Sequence, residues 1–186
     1  SKTLKKWGSV DILINNAGGP PFGRLEEIDE QVWQETIETN LMSVIRFTKS
    51  VIPHMKKCNW GRIISITSTL AIEPSPSMIL SSTARAAVGA FTKALSIEVA
   101  SKNISINVIC PGGVLTERLK NLLKTRSERE NVNFKELIIE SEKSIPAGRF
   151  AQPSEIGNII SFLCSEKAAY INGVSLAVDG SLIKSF

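Results

Sequence analysis

Four short runs of apolar, largely β-branched residues punctuate the chain, at Val10 to Ile14, Arg62 to Thr67, Ile104 to Ile109 and Val174 to Val178. None shows the strict apolar and polar alternation of a sheet with one wet face. Each therefore reads as a strand buried on both sides, the pattern of a parallel sheet. The stretches between them repeat with a helical period instead. From Asp29, an N-cap candidate, positions Trp33, Ile37, Leu41, Val44, Thr48, Val51 and Ile52 recur on one helical face. A second helix is predicted over 81–101. A third opens at Pro153-Ser154-Glu155, where a first-turn proline and an acid near the positive end of the dipole both favour a start. Strands alternating with helices predict right-handed crossovers and a doubly wound α/β sheet. The span 112–152 breaks this rhythm with two charged helical patterns and several turn signals. So long an excursion inside one domain is either a functional lid, taken here as 113–149, or a packed surface insertion.

Composition narrows the classes without changing that picture. With 186 residues, 42% hydrophobic and 22% charged, the chain fits one globular domain, 1–186. No apolar run approaches the roughly 20 residues of a membrane span, and SKTLKKWGSV lacks the apolar centre of a signal peptide, so a cytoplasmic protein with no membrane partner is expected. Cys58, Cys110 and Cys164 have unrelated spacings and His54 is the one histidine, which supports neither disulfides nor a metal site. The net charge is +4, but its lysines and arginines are interleaved with glutamates, as in TERLKNLLKTRSERE. No nucleic-acid partner is expected from such mixed charge.

Candidate chemistry collects at the strand ends. NNAGG follows the first strand, TSTLA the second, CPGGVLT the third and DGS the fourth. Ligands of open α/β sheets bind beyond the carboxyl ends of the strands, so these four clusters describe one crevice. The motifs NNAG at 15–18, Asn40 within a helix, RIISITS ending at Ser68, INVICPGG at 106–113, Thr116, IPAGRFAQPSEIG and INGVSLAVDG together resemble the short-chain dehydrogenase/reductase family. Within it they resemble the branch of the 3-oxoacyl-acyl carrier protein reductases.

The resemblance implies a Rossmann-like, three-layer α/β/α domain and an NAD(P)-dependent oxidoreductase, with the choice between NAD and NADP left open. Its substrate would be a small-molecule carbonyl or alcohol, acyl thioesters included, and its assembly a homotetramer or homodimer built through the helices at 29–57 and 81–101. Family members open with further strands and a glycine-rich turn that grips the cofactor pyrophosphate on a helix N-terminus. The chain shows no such turn, so it reads as the C-terminal part of the domain, short of about 75 residues at ~30 per βαβ unit. Strand 10–14 would then be a bare apolar edge.

For the site, the resemblance implies an Asn, Ser, Tyr, Lys tetrad. Asn40 matches the amide that anchors a relay water, and Ser68 the donor to the substrate carbonyl oxygen, with Thr69 its nearby substitute. The tyrosine and lysine positions hold Ser81 and Arg85. The one tyrosine, Tyr170, lies elsewhere in the sequence. A phenol of reference pKa about 10 can be tuned to exchange a proton near neutrality, whereas an aliphatic hydroxyl is far less acidic. Arg85 keeps a positive charge for ribose hydroxyls or phosphate but cannot relay a proton. Substitute proton sources are Ser81 with a water chain through Asn40, Glu73, or Glu117. Asn15, Ala17 and Gly18 match the residues beside the adenine ribose, and Pro111, Gly112, Val114 and Thr116 those beside the nicotinamide and pyrophosphate. Two functions follow: an oxidoreductase with a non-standard proton source, or a paralogue that binds a nucleotide or ligand, or serves assembly, without chemistry.

Overall fold

The computed structural model describes residues 2–185, the side chains at 4 and 129 excepted. In chain order the elements are α1 Lys2–Trp7, β1 Ile12–Asn15, α2 Glu30–Ile37, α3 Ser43–Cys58, β2 Gly61–Ile66, α4 Ile79–Val99, β3 Ile104–Pro111, α5 Glu117–Glu130, α6 Phe134–Lys143, α7 Pro153–Cys164 and β4 Ser175–Val178. The strands form one parallel sheet in the order β1-β2-β3-β4, with Ile14 opposite Ile64 and Ile64 opposite Asn107. Each expected strand is present within two residues of its expected ends. This is the doubly wound α/β sheet that the alternation predicts and the Rossmann-like fold that the resemblance implies.

Both faces of the sheet are covered because the strands carry apolar side chains on both. Ile63 and Ile106 pack on one face with Val51 and Met55 of α3 and Val99 of α4. Ile64 and Ile109 pack on the other with Ile156 and Leu163 of α7. That placement overturns one expectation. The strand order advances steadily in one direction, yet α3 and α4 lie on one face and α7 on the other. The third crossover therefore has the opposite hand to the first two, against the usual rule. The intervening span explains it: residues 112–152 carry the chain around the carboxyl end of the sheet before α7 begins, which removes the short-connection constraint behind the rule. That span is a packed body with its own apolar cluster of Leu123, Leu137, Ile145 and Phe150.

The long helix expected from Asp29 is interrupted. Residues Glu38–Met42 form a π-helical turn between α2 and α3. Its centre is Asn40, whose buried amide donates to the Thr36 carbonyl at 3.2 Å and so competes for the acceptor that a regular turn would use. A periodicity count cannot register one extra residue in a turn. Asp29 is the N-cap residue of α2 by backbone shape, without a side-chain cap bond.

α7 begins as expected, with Pro153 in its first turn and Glu155 accepting from the Gln152 N–H at 2.8 Å. The Arg149 guanidinium also grips Glu155 through two bonds of 2.7 and 2.8 Å. Arg149 first, and then the Gln152 N–H, depress the carboxyl pKa to about 2. A depressed folded-state pKa contributes stability that is present above the ordinary value and lost as pH falls towards the depressed one. Acid unfolding should therefore steepen between about pH 4.5 and 2, and Glu155→Gln should flatten the stability profile in that window; salt should blunt the difference because the pair is exposed. Among the described residues no helix is long and apolar enough to cross a membrane.

Candidate active site

The carboxyl ends of β1, β2 and β3 border an open cavity of about 520 Å³, flanked by the start of α5. It brings together most of the residues expected from sequence: Ala17, Gly18, Ser68, Ser81, Arg85, Pro111, Gly112, Val114 and Thr116 all line it. Asn40 lines an adjoining hollow of about 320 Å³, which shares Gly18, Gly19 and Pro20 with the first. Asn15 does not line the cavity. It is the last residue of β1, where side chains alternate across the sheet, and its buried amide donates to Ser65 Oγ at 3.3 Å. The next residue, Asn16, faces the cavity instead. The DGS cluster after β4 supports the site from behind: a Cβ on Gly112 would fall 2.9 Å from Asp179 Cβ and 3.0 Å from its Cα, so only glycine lets these loops meet.

Ser68 caps a short turn, Thr69–Ala71, and accepts from the Leu70 N–H at 3.3 Å. Its oxygen is thereby engaged while its proton remains free to donate into the cavity. Ser81 occupies the first turns of α4, four residues before Arg85 on the same helical face. The Arg85 Nε donates to Ser81 Oγ at 3.0 Å, and Nη1 reaches the Ile66 carbonyl at 3.4 Å. Ser81 is buried and, like Ser68, keeps its own proton for donation. A guanidinium on its oxygen stabilises negative charge there and makes the hydroxyl a better donor. Burial, and then the neighbouring Arg118, push the Arg85 pKa down from its usual value. Cys110 lies fully buried beneath the cavity, and burial pushes its thiol up.

The substitute proton sources fare differently. Glu73 accepts from the Lys184 and Ser185 N–H groups at 2.8 and 3.0 Å. Those bonds, led by Lys184, lower its pKa, so it is held as a carboxylate outside the cavity lining. Glu117 pairs with Lys120 at 2.8 Å and is absent from the lining. His54 sits near Asp11, at the opposite end of the sheet. Only Ser81 among them lies in the cavity.

Asn16, Gly19 and Arg118 also line the cavity, though none was singled out as a site residue from sequence. Asn16 was legible through strand alternation. Gly19 and Arg118 form a contact across the mouth, where Arg118 Nη2 donates to the Gly19 carbonyl at 3.0 Å, and no spacing rule links positions 99 residues apart. Among the described residues no cluster of His, Cys, Asp and Glu suits a metal ion.

The chain and its parallel-sheet fold have counterparts among known proteins. Residues 1–182 match the family described as enoyl-(acyl carrier protein) reductase. The 3-oxoacyl-(acyl-carrier-protein) reductase FabG of Vibrio cholerae is 35% identical over 95% of this chain and 68% of its own length. The human dehydrogenase/reductase SDR family member 4 is 32% identical over 95% of this chain. Among solved structures, the L-sorbose reductase of Gluconobacter frateurii, in complex with NADPH and L-sorbose, superimposes with a TM-score of 0.94 at 31% identity, covering 99% of this chain and 70% of that one. An actinorhodin polyketide ketoreductase with NADPH gives 0.93 at 33% identity, covering 99% of this chain and 71% of that one. The chain belongs to the short-chain dehydrogenase/reductase family. It spans 61% of the length of the human relative.

Proposed function

We propose that the protein is an NAD(P)-dependent oxidoreductase that interconverts a carbonyl and an alcohol, with a serine and arginine pair where relatives of the 3-oxoacyl-acyl carrier protein reductase type use tyrosine and lysine. The observation that carries this is the convergence of two proton-donating hydroxyls, Ser68 and Ser81, and the Arg85 cation on one cavity. Such donors stabilise an oxygen as it gains negative charge. A nicotinamide cofactor fits the residues present: the loop 16–19 has nothing larger than alanine after Asn16, and Gly112 lets the end of β3 pack directly on Asp179 at the cavity wall. Asn16, Ala17 and Gly18 would border its adenosine side, with Asn15 supporting them from below, and Pro111, Gly112, Val114 and Thr116 its nicotinamide side. When bound, the cofactor supplies or accepts the hydride.

The chain's own residues do the rest. Ser68 orients the carbonyl oxygen, and Ser81, polarised by Arg85, donates to the same atom. A water chain past Asn40 returns the proton that Ser81 gives up. The excursion 113–149 acts as the lid that excludes bulk water and shapes the substrate pocket. Assembly as a homodimer or homotetramer is supported by exposed Phe47 on α3 and Ile97 on α4, beside a shallow apolar hollow lined by Ile52, Phe91 and Leu95.

A second reading, ligand binding without chemistry, has one observation in its favour: among the described residues, the titratable side chains lining the cavity are Arg85 and Arg118, neither a proton donor near neutrality. The two readings separate by turnover. In the full-length protein, NADPH or NADH oxidation driven by a short 3-oxoacyl thioester should fall about 10²- to 10³-fold in kcat in Ser68→Ala, the usual cost of one oxyanion donor. Cofactor binding with no turnover across a carbonyl panel would favour the second reading.

A further inference from the structure

Among the described residues, the cavity lining holds two guanidinium groups and no carboxylate. Arg85 reaches it from α4 and Arg118 from the first turn of α5, and both line it with Ser68 and Ser81. Four other arginines take acidic partners: Arg46 with Glu38, Arg62 with Glu166, Arg126 with Glu130 and Arg149 with Glu155. Among the described residues Arg85 and Arg118 have none. Arg85 bonds only to Ser81 Oγ and the Ile66 carbonyl, and Arg118 only to the Gly19 carbonyl. Each guanidinium carries five N–H donors, so several stay free at the cavity.

Two like charges gathered in a partly desolvated cleft repel each other, and water screens them poorly there. An anion between them would offset that repulsion. The planar guanidinium fork matches a carboxylate, with two parallel bonds from one side chain. Arg118 is placed for that task by glycine: a Cβ at residue 19 would lie 2.8 Å from its Nη2.

Resting on the oxidoreductase reading above, we propose that Arg118, with Arg85 behind it, forms a carboxylate clamp that selects carbonyl or alcohol substrates bearing an acid group. Ser68 and Ser81 hold the reacting oxygen, and Arg118 at the cavity mouth holds the acid.

The test uses acetoacetate, a small 3-oxo acid, and its uncharged methyl ester, titrated by calorimetry into the full-length protein saturated with NADP⁺ or NAD⁺ so that no turnover intervenes. Acetoacetate should bind about tenfold or more tightly than the ester, the scale of one charge-assisted contact. Arg118→Gln should collapse that ratio towards one, and Arg118→Lys should keep part of it. A ratio near one in the unaltered protein, or one that survives Arg118→Gln, overturns the clamp. So does a loss of NADPH affinity in Arg118→Gln as large as the loss for acetoacetate, because the arginines would then serve the cofactor phosphates. If the acid preference holds but neither compound is ever reduced by NADPH or NADH, the clamp stands and the oxidoreductase reading fails.

Discussion

The double substitution Ser81→Tyr with Arg85→Lys should raise kcat for NADPH- or NADH-dependent reduction of methyl acetoacetate by about 10²- to 10⁴-fold, the range spanned by a positioned general acid. In energy this is roughly 3 to 5.5 kcal/mol of barrier. The neutral ester keeps the charge-selecting arginines out of the comparison. Ser81 is buried on α4 at the cavity wall, with its hydroxyl oxygen on Arg85 Nε. A phenol placed there would enter the cavity beside Ser68, and an ammonium four residues on would lower its pKa through the opposite-charge effect. Steady-state kinetics of the double variant and of each single variant check this. Ser81→Tyr alone should gain less, because Arg85 stays protonated and cannot pass a proton onward. Unchanged kcat in the double variant would mean that the reacting oxygen does not sit at Ser81.

The second large effect concerns stability. Asn107, fully buried on β3, donates through its amide to the Ile171 carbonyl at 2.9 Å and accepts from the Val174 N–H at 3.1 Å. One side chain thus fixes the chain just before β4. Asn107→Leu preserves volume but leaves two backbone groups unpaired, at about 1 to 3 kcal/mol each. Unfolding in urea should show a loss of roughly 2 to 5 kcal/mol with little change in slope. The consequence reaches the crevice, because β4 delivers Asp179 to its contact with Gly112. A loss below 1 kcal/mol would mean that water replaces both bonds.

Much of this architecture was legible because parallel strands leave a strong mark. Runs such as RIISIT put isoleucines on both sides of the pleat, which pointed to helices on both faces. The strand-end clusters then placed the crevice, since backbone polarity and glycine collect where strands stop. Two features stayed hidden for physical reasons. The opposite hand of the last crossover depends on how residues 112–152 pack, and their charged surface pattern is silent about direction. The π turn at Asn40 arises from one amide competing for one carbonyl, below the resolution of any periodicity.

Within the site, residue types were easier to foresee than their neighbours. Ser68, Ser81 and Arg85 fell into one cavity because a strand end and a helix four-residue step fix them relative to each other. Asn15 and Asn16 exchanged places because strand alternation, rather than motif position, decides which one is wet. Arg118 was unforeseeable from sequence, since its place depends on a tertiary contact with Gly19.

The central claim is that this crevice holds a nicotinamide against a carbonyl, and isotope transfer tests it most directly. Full-length protein is supplied with reduced nicotinamide cofactor deuterated at C4, in each stereochemical form, and with a 3-oxo substrate, and the alcohol product is read by mass spectrometry. The account predicts one deuterium on the carbinol carbon from one of the two forms, with the yield reduced in Ser68→Ala. Tight cofactor binding without deuterium in any product, from either form and in either the phosphorylated or unphosphorylated cofactor, would contradict it.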